Sequence, residues 1–85
     1  KVEIDVAAVN PADRAILLGE AKYIASPVGD DVLDGLRAKV AALRVPSGWQ
    51  IHYALFAKSG FTATLQARAE RERVILADLE QVVHP

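Results

Sequence analysis

The sequence contains no cysteine, which excludes disulfides and thiolate metal sites and fits a reducing cytoplasm. No run approaches the roughly 18 apolar residues that span a bilayer, and no basic-then-apolar leader is present, so no membrane role is expected. Nor is there an excess of positive charge. Ten Lys and Arg against eleven Asp and Glu leave a formal net charge of -1, far from the basic footprint of an avid nucleic-acid binder, so any such contact must be local. There is no Walker A loop, Ser47 and Ser59 lack the context of a nucleophile elbow, and His52 and His84 have no spaced partner for zinc. Internal repeats and low-complexity tracts are missing too. At 85 residues the chain is expected to be one domain with a core that is marginal unless something covers it. It enters a strand pattern directly after Lys1, and the expectation is a fragment of a longer polypeptide.

What is present is organised around the stretch from Val2 to Lys22. Two apolar runs, Val2 to Val9 and Ala15 to Ala21, flank a segment holding Asn10, Pro11 and Asp13, the pattern of a β-hairpin. A loop over Pro11 to Arg14, a common hairpin length, faces Asn10 with Ala15, Asp5 with Glu20 and Glu3 with Lys22. Opposed residues share a face, so carboxylates and a lysine converge on one patch; a one-residue slip would set Asp5 against Gly19 and lose it. Neighbouring carboxylates repel and need a cation if they are desolvated. One reading supplies a Mg²⁺ ion held by Asp5 and Glu20, with Lys22 orienting water or neutralising charge on a phosphate. The other is a solvated hairpin face with a Glu3 to Lys22 ion pair.

The rest of the chain alternates helix and strand. Ser26 and Pro27 read as the N-cap and first turn of a helix running to about Arg44. Val28, Val32, Leu36, Val40 and Leu43 form its apolar face, Asp30 and Asp31 complement one end of its dipole, and Arg37, Lys39 and Arg44 the other. Asp30, Asp34 and Gly35 superficially resemble a calcium loop, but Val32 and Ala41 stand where oxygen ligands are needed. Val45 to Gly48 make a turn. Gln50 to Ala57 reads as a strand buried on both faces. Thr62 to Glu72 is a helix capped by Thr62, with Leu65 and Ala69 inward and Arg68 and Arg71 outward, and Val74 to Leu79 is a second apolar strand. Strand, helix and strand at these lengths make a right-handed crossover between parallel strands. Joined to the hairpin, it gives an α/β chain with a mixed sheet. Lys58 and Ser59, between a strand end and a helix start, are candidates for a phosphate contact. Trp49 and Phe61 are most simply core or rim.

Glu3-Ile4-Asp5-Val6-Ala7 followed by Gly19-Glu20-Ala21-Lys22-Tyr23 resembles the Asp, then Glu-x-Lys, signature of the PD-(D/E)XK nuclease superfamily. With Ser26-Pro27-Val28, the helix bearing Asp31-Val32-Leu33, and Leu55-Phe56-Ala57-Lys58-Ser59-Gly60-Phe61-Thr62, the chain is most similar to the nuclease-like domain at the C-terminus of archaeal-type P-loop ATPases. It departs at Ala21, where that family often carries cysteine. The resemblance implies a restriction-endonuclease-like fold whose opening helix and strand are missing from this chain, which leaves an exposed strand edge through which copies could associate. It implies Asp5, Glu20 and Lys22 as the catalytic set of a Mg²⁺- or Mn²⁺-dependent endonuclease, with the Ala21 carbonyl as a further metal ligand. Glu3 is read on its position as the cross-strand partner of Lys22, with an extra ligand or water-positioning acid as the alternative. A cytoplasmic location is the expectation from the absence of cysteine, whereas DNA as substrate and an upstream P-loop ATPase in the same polypeptide follow from the same resemblance. So does the alternative of a catalytically inactive DNA-binding or regulatory module.

Overall fold

A computed structural model describes residues 3–79. It is an α/β arrangement in the order β1 (Val6–Asn10), β2 (Ala15–Lys22), α1 (Asp30–Ala41), β3 (Gln50–Ala57), α2 (Ala63–Glu72) and β4 (Ile75–Asp78). The strands form one mixed sheet in the order β1-β2-β3-β4. β1 pairs antiparallel with β2, and β2, β3 and β4 run parallel.

The hairpin register is the one drawn from the loop length, with Asn10 facing Ala15 and Val6 facing Gly19. The turn is held by its own polar residues. Asn10 Nδ2 donates to Asp13 Oδ2 at 2.9 Å, the Asp13 N–H donates to Asn10 Oδ1 at 3.3 Å, and the Arg14 N–H closes on the Pro11 carbonyl at 3.2 Å. Arg14 takes a positive φ of 50° to bring the chain back. Among the described residues the antiparallel ladder starts at Val6, and at the next position the Asp5 side chain takes over the backbone's role, as described below; Val2, where the apolar run of the sequence begins, lies outside the described residues.

Two right-handed crossovers that advance in the same direction across a sheet deposit both helices on one face. Leu18, Leu55 and Ala57 on that face pack with Leu33, Leu36 and Val40 of α1 and with Leu65 and Ala69 of α2 in a single buried cluster. On the opposite face Gly19 lies under the Phe56 ring. A Cβ at Gly19 would stand 3.2 Å from Phe56 Cε2 and 3.0 Å from the Ala54 carbonyl oxygen, so the strand accepts only glycine there without a shift.

Helix α1 begins later than its Ser26–Pro27 signal. Val28, 1% exposed, forms a parallel bridge with Phe61. Its N–H donates to the Gly60 carbonyl and its carbonyl accepts from the Thr62 N–H, both at 2.9 Å. A residue holding both bonds in extended form cannot be in a helical turn, so Gly29 becomes the N-cap, with extended φ and no side-chain cap. At the other end the helix stops at Ala41, which leaves Leu43 38% exposed and puts Leu33, 0% exposed, in the core instead. Helix α2 starts as read, with Thr62 Oγ1 accepting from the Leu65 N–H at 3.1 Å.

Arg68 is not an outward-facing residue. It reaches from α2 to Asp34 at 2.7 Å and Asp30 at 3.2 Å on α1, and to Glu72 at 2.9 Å on its own helix. Glu72 also receives Arg37 of α1, whose guanidinium lies 5.1 Å from the Tyr53 ring centroid. The acidic first turns of α1 therefore serve a helix-to-helix ion-pair network. Among the described residues no helix is long and apolar enough to cross a membrane.

Candidate functional site

The strand alternation that buries Leu18 under the helices places Glu20 and Lys22 on the same face. Glu20 is 6% exposed and is the one buried charged residue among those described. Burying a carboxylate without partners is costly, and two ammonium groups meet this one. Lys39 Nζ of α1 lies 2.5 Å from Oε1, and Lys22 Nζ lies 3.3 Å from Oε2. Both lysine side chains are about two-fifths exposed, at 41% and 39%, so the pairing of this buried carboxylate is reached from the surface.

Asp5 completes the cluster by another route. It is the next position of the hairpin register after Val6, opposite Glu20, yet it lies just outside the ladder. Its Oδ2 accepts the Ala21 N–H at 3.0 Å, substituting for a strand carbonyl. The Asp5 carboxylate is thus fixed on the backbone amide between Glu20 and Lys22, beside the residues of the Glu-x-Lys pattern, whose own side chains pair at 3.3 Å. Glu3 precedes β1 and is exposed. The expected Glu3 to Lys22 pair is replaced by the Lys22 contact with Glu20, because cross-strand pairing ends at Val6.

Lys39 is the residue of this cluster that sequence reasoning missed, having assigned it to the helix dipole. It lies on the flank of the stripe made by Leu36 and Val40, and a glutamate inside the apolar run Leu17-Leu18-Gly19-Glu20 called for a cation from a packed helix. The hydrogen bond to Glu20, reinforced by the charges of Glu20, Asp5 and Glu3, raises the Lys39 pKa above the ordinary 10.5 against the opposing effect of desolvation. It is fully protonated at neutral pH.

The second candidate region lies beyond the end of β3. The Lys58 N–H donates to the Lys22 carbonyl at 3.0 Å, so the β2–β3 pairing carries Lys58 to the same end of the sheet as Lys22, where its side chain is exposed. The Ser59 hydroxyl donates to the Ile24 carbonyl at 2.9 Å. Ser59 also lines an open cavity of about 550 Å³ that carries Glu70 and Asp78. Those carboxylates oppose an anion on that side. Tyr23 is 74% exposed directly after Lys22. Of the other singled-out residues, His52 is exposed on β3, Trp49 and Phe61 are half-buried, and His84 is outside the described residues.

The donor set offered by Asp5, Glu20 and the Ala21 carbonyl is all oxygen, as hard divalent cations require. No group of three or more His, Asp or Glu side chains suited to a metal occurs among the described residues. The chain matches no family model, no curated protein and no solved structure.

Proposed function

We propose that this chain is the catalytic core of a metal-dependent phosphodiesterase acting on DNA, of PD-(D/E)XK type with a restriction-endonuclease-like sheet. The observation that carries this reading is the Asp5 carboxylate held on the Ala21 amide, between Glu20 and Lys22, whose side chains pair with each other. Asp5, Glu20 and the Ala21 carbonyl would hold Mg²⁺ or Mn²⁺, which supplies Lewis acidity toward a phosphoryl oxygen when bound. Lys22 has three N–H donors and can keep its Glu20 contact while a second donor orients a water for attack. Its charge also stabilises the negative charge that builds on the phosphorus oxygens. Lys58, at the same end of the sheet, is placed to meet a neighbouring phosphate, and Tyr23 offers an exposed aromatic face on which a base can stack. With a net charge of -1, the domain would rely on other parts of its polypeptide, an upstream P-loop ATPase in this reading, for most of its hold on DNA. Among the described residues β1 is an edge strand, and that edge is where further sheet, or a second copy, would pair.

Cleavage of labelled single-stranded and duplex DNA in Mn²⁺ tests the reading. Asp5→Asn and Lys22→Ala should each abolish the activity while circular dichroism shows a folded domain. Undiminished cleavage in either variant refutes the assignment.

A second reading rests on the ammonium of Lys39 against Glu20. A carboxylate already neutralised from within has no need of a metal, and the same fold would then serve as an inactive binding module of the ATPase. Wild-type protein that binds DNA without cleaving it in any divalent metal would favour this reading.

A further inference from the structure

Lys39 belongs to neither strand of the Asp, Glu-x-Lys pattern, yet it makes the shortest contact in the cluster. Its Nζ holds Glu20 Oε1 at 2.5 Å while Lys22 takes the other oxygen. With Glu3, Asp5 and Glu20 against Lys22 and Lys39, the group retains one net negative charge, too little to attract a divalent ion strongly. Removing one ammonium doubles that charge. The Lys39 stem is long, and the side chain is 41% exposed, so its head can reach water without disturbing Leu36 or Val40, which anchor the helix beside it.

From this we infer that Lys39 is the resident counter-ion of Glu20, and that a divalent metal enters the site only by displacing it. The inference rests on the metal-dependent reading above and deepens it. Lys39 is a positioning and gating residue: it keeps Glu20 buried and oriented in the metal-free protein, and it sets how much metal the site demands. Both cations compete for one carboxylate oxygen, so the ammonium lowers apparent metal affinity by the cost of moving it to water.

The test is a Mn²⁺ titration, followed by the loss of the free-ion electron paramagnetic resonance signal, on the wild-type chain, Lys39→Met and Lys39→Met combined with Asp5→Asn. Lys39→Met should bind Mn²⁺ at least about tenfold more tightly than wild type, and the added Asp5→Asn should remove that binding. Thermal unfolding gives a second readout: Mn²⁺ should raise the midpoint of Lys39→Met more than that of wild type. Should Lys39→Met fail to fold, Lys39→Gln carries the same comparison, because it keeps a neutral N–H donor for Glu20. Equal or weaker Mn²⁺ binding in the Lys39 variant, with wild type binding, overturns the inference and leaves the metal-dependent reading standing. No binding by either protein overturns both.

Discussion

Gly19 precedes the buried glutamate, and its replacement by alanine tests the packing that positions the site. The new Cβ would lie 3.0 Å from the Ala54 carbonyl oxygen, 3.2 Å from Phe56 Cε2 and 3.4 Å from Val6 Cβ. Phe56 can turn away, whereas Ala54 is fixed by the parallel pairing of β2 with β3. Overpacking of this kind costs about 1–3 kcal/mol, and relief of glycine's entropy returns about 0.5–1 kcal/mol. Because the carbonyl cannot give way, the overpacking cost lies in the upper part of its range, about 2–3 kcal/mol; the expected net loss is then about 1–2.5 kcal/mol, which lowers the unfolding midpoint of a domain this size by roughly 5–20 °C. Urea and thermal denaturation followed by circular dichroism measure it. Adding Phe56→Leu should recover part of the loss and not all of it, because the clash with the carbonyl remains. A neutral or stabilising Gly19→Ala would refute the close approach of β2 and β3 at this point, and with it the register that turns Glu20 toward Lys39.

Arg73 ends α2 in the left-handed region with φ of 58°, a conformation that costs a side-chain-bearing residue about 1 kcal/mol; Arg73→Gly should raise the denaturation midpoint by a corresponding amount. Arg37 and Arg68 hold the Glu72 carboxyl below its usual 4.5, so the stability it confers is present above that pH and is lost as pH falls through the lower folded value. Glu72→Gln should therefore flatten the decline in urea midpoint on the acid side of pH 4.5. For Lys39 the sign is opposite. Its folded pKa lies above 10.5, so its contribution is complete below 10.5 and disappears as pH rises through the folded value; Lys39→Met should lose less stability than wild type over that alkaline range.

Local chemistry made much of this fold legible. The Asn10 to Arg14 turn sets the hairpin register, Gln50 to Ala57 carries enough β-branched, aromatic and apolar residues to mark β3, and Thr62 caps α2 where its hydroxyl suggests. The start of α1 was hidden because Val28 is claimed by Gly60 and Thr62, more than thirty positions away, against a sound local cap at Ser26 and Pro27. Arg68 looked solvent-facing for a similar reason: Asp30 and Asp34 become its partners only when two helices lie side by side on one sheet face. In the candidate site, the register of β1 against β2 followed from strand period and loop length as far as Val6 and Gly19, one position short of the expected opposition of Asp5 and Glu20. The Asp5 bond to the Ala21 amide and the approach of Lys39 did not, since the first depends on where the ladder ends and the second on the placement of α1 over β2.

The proposal that Asp5 and Glu20 together hold a divalent ion is tested most directly by calorimetric titration of the wild-type chain and Asp5→Asn with Mn²⁺ and Mg²⁺. Binding by wild type that vanishes in a folded Asp5→Asn is the expected result. Binding that persists unchanged in Asp5→Asn would contradict the account.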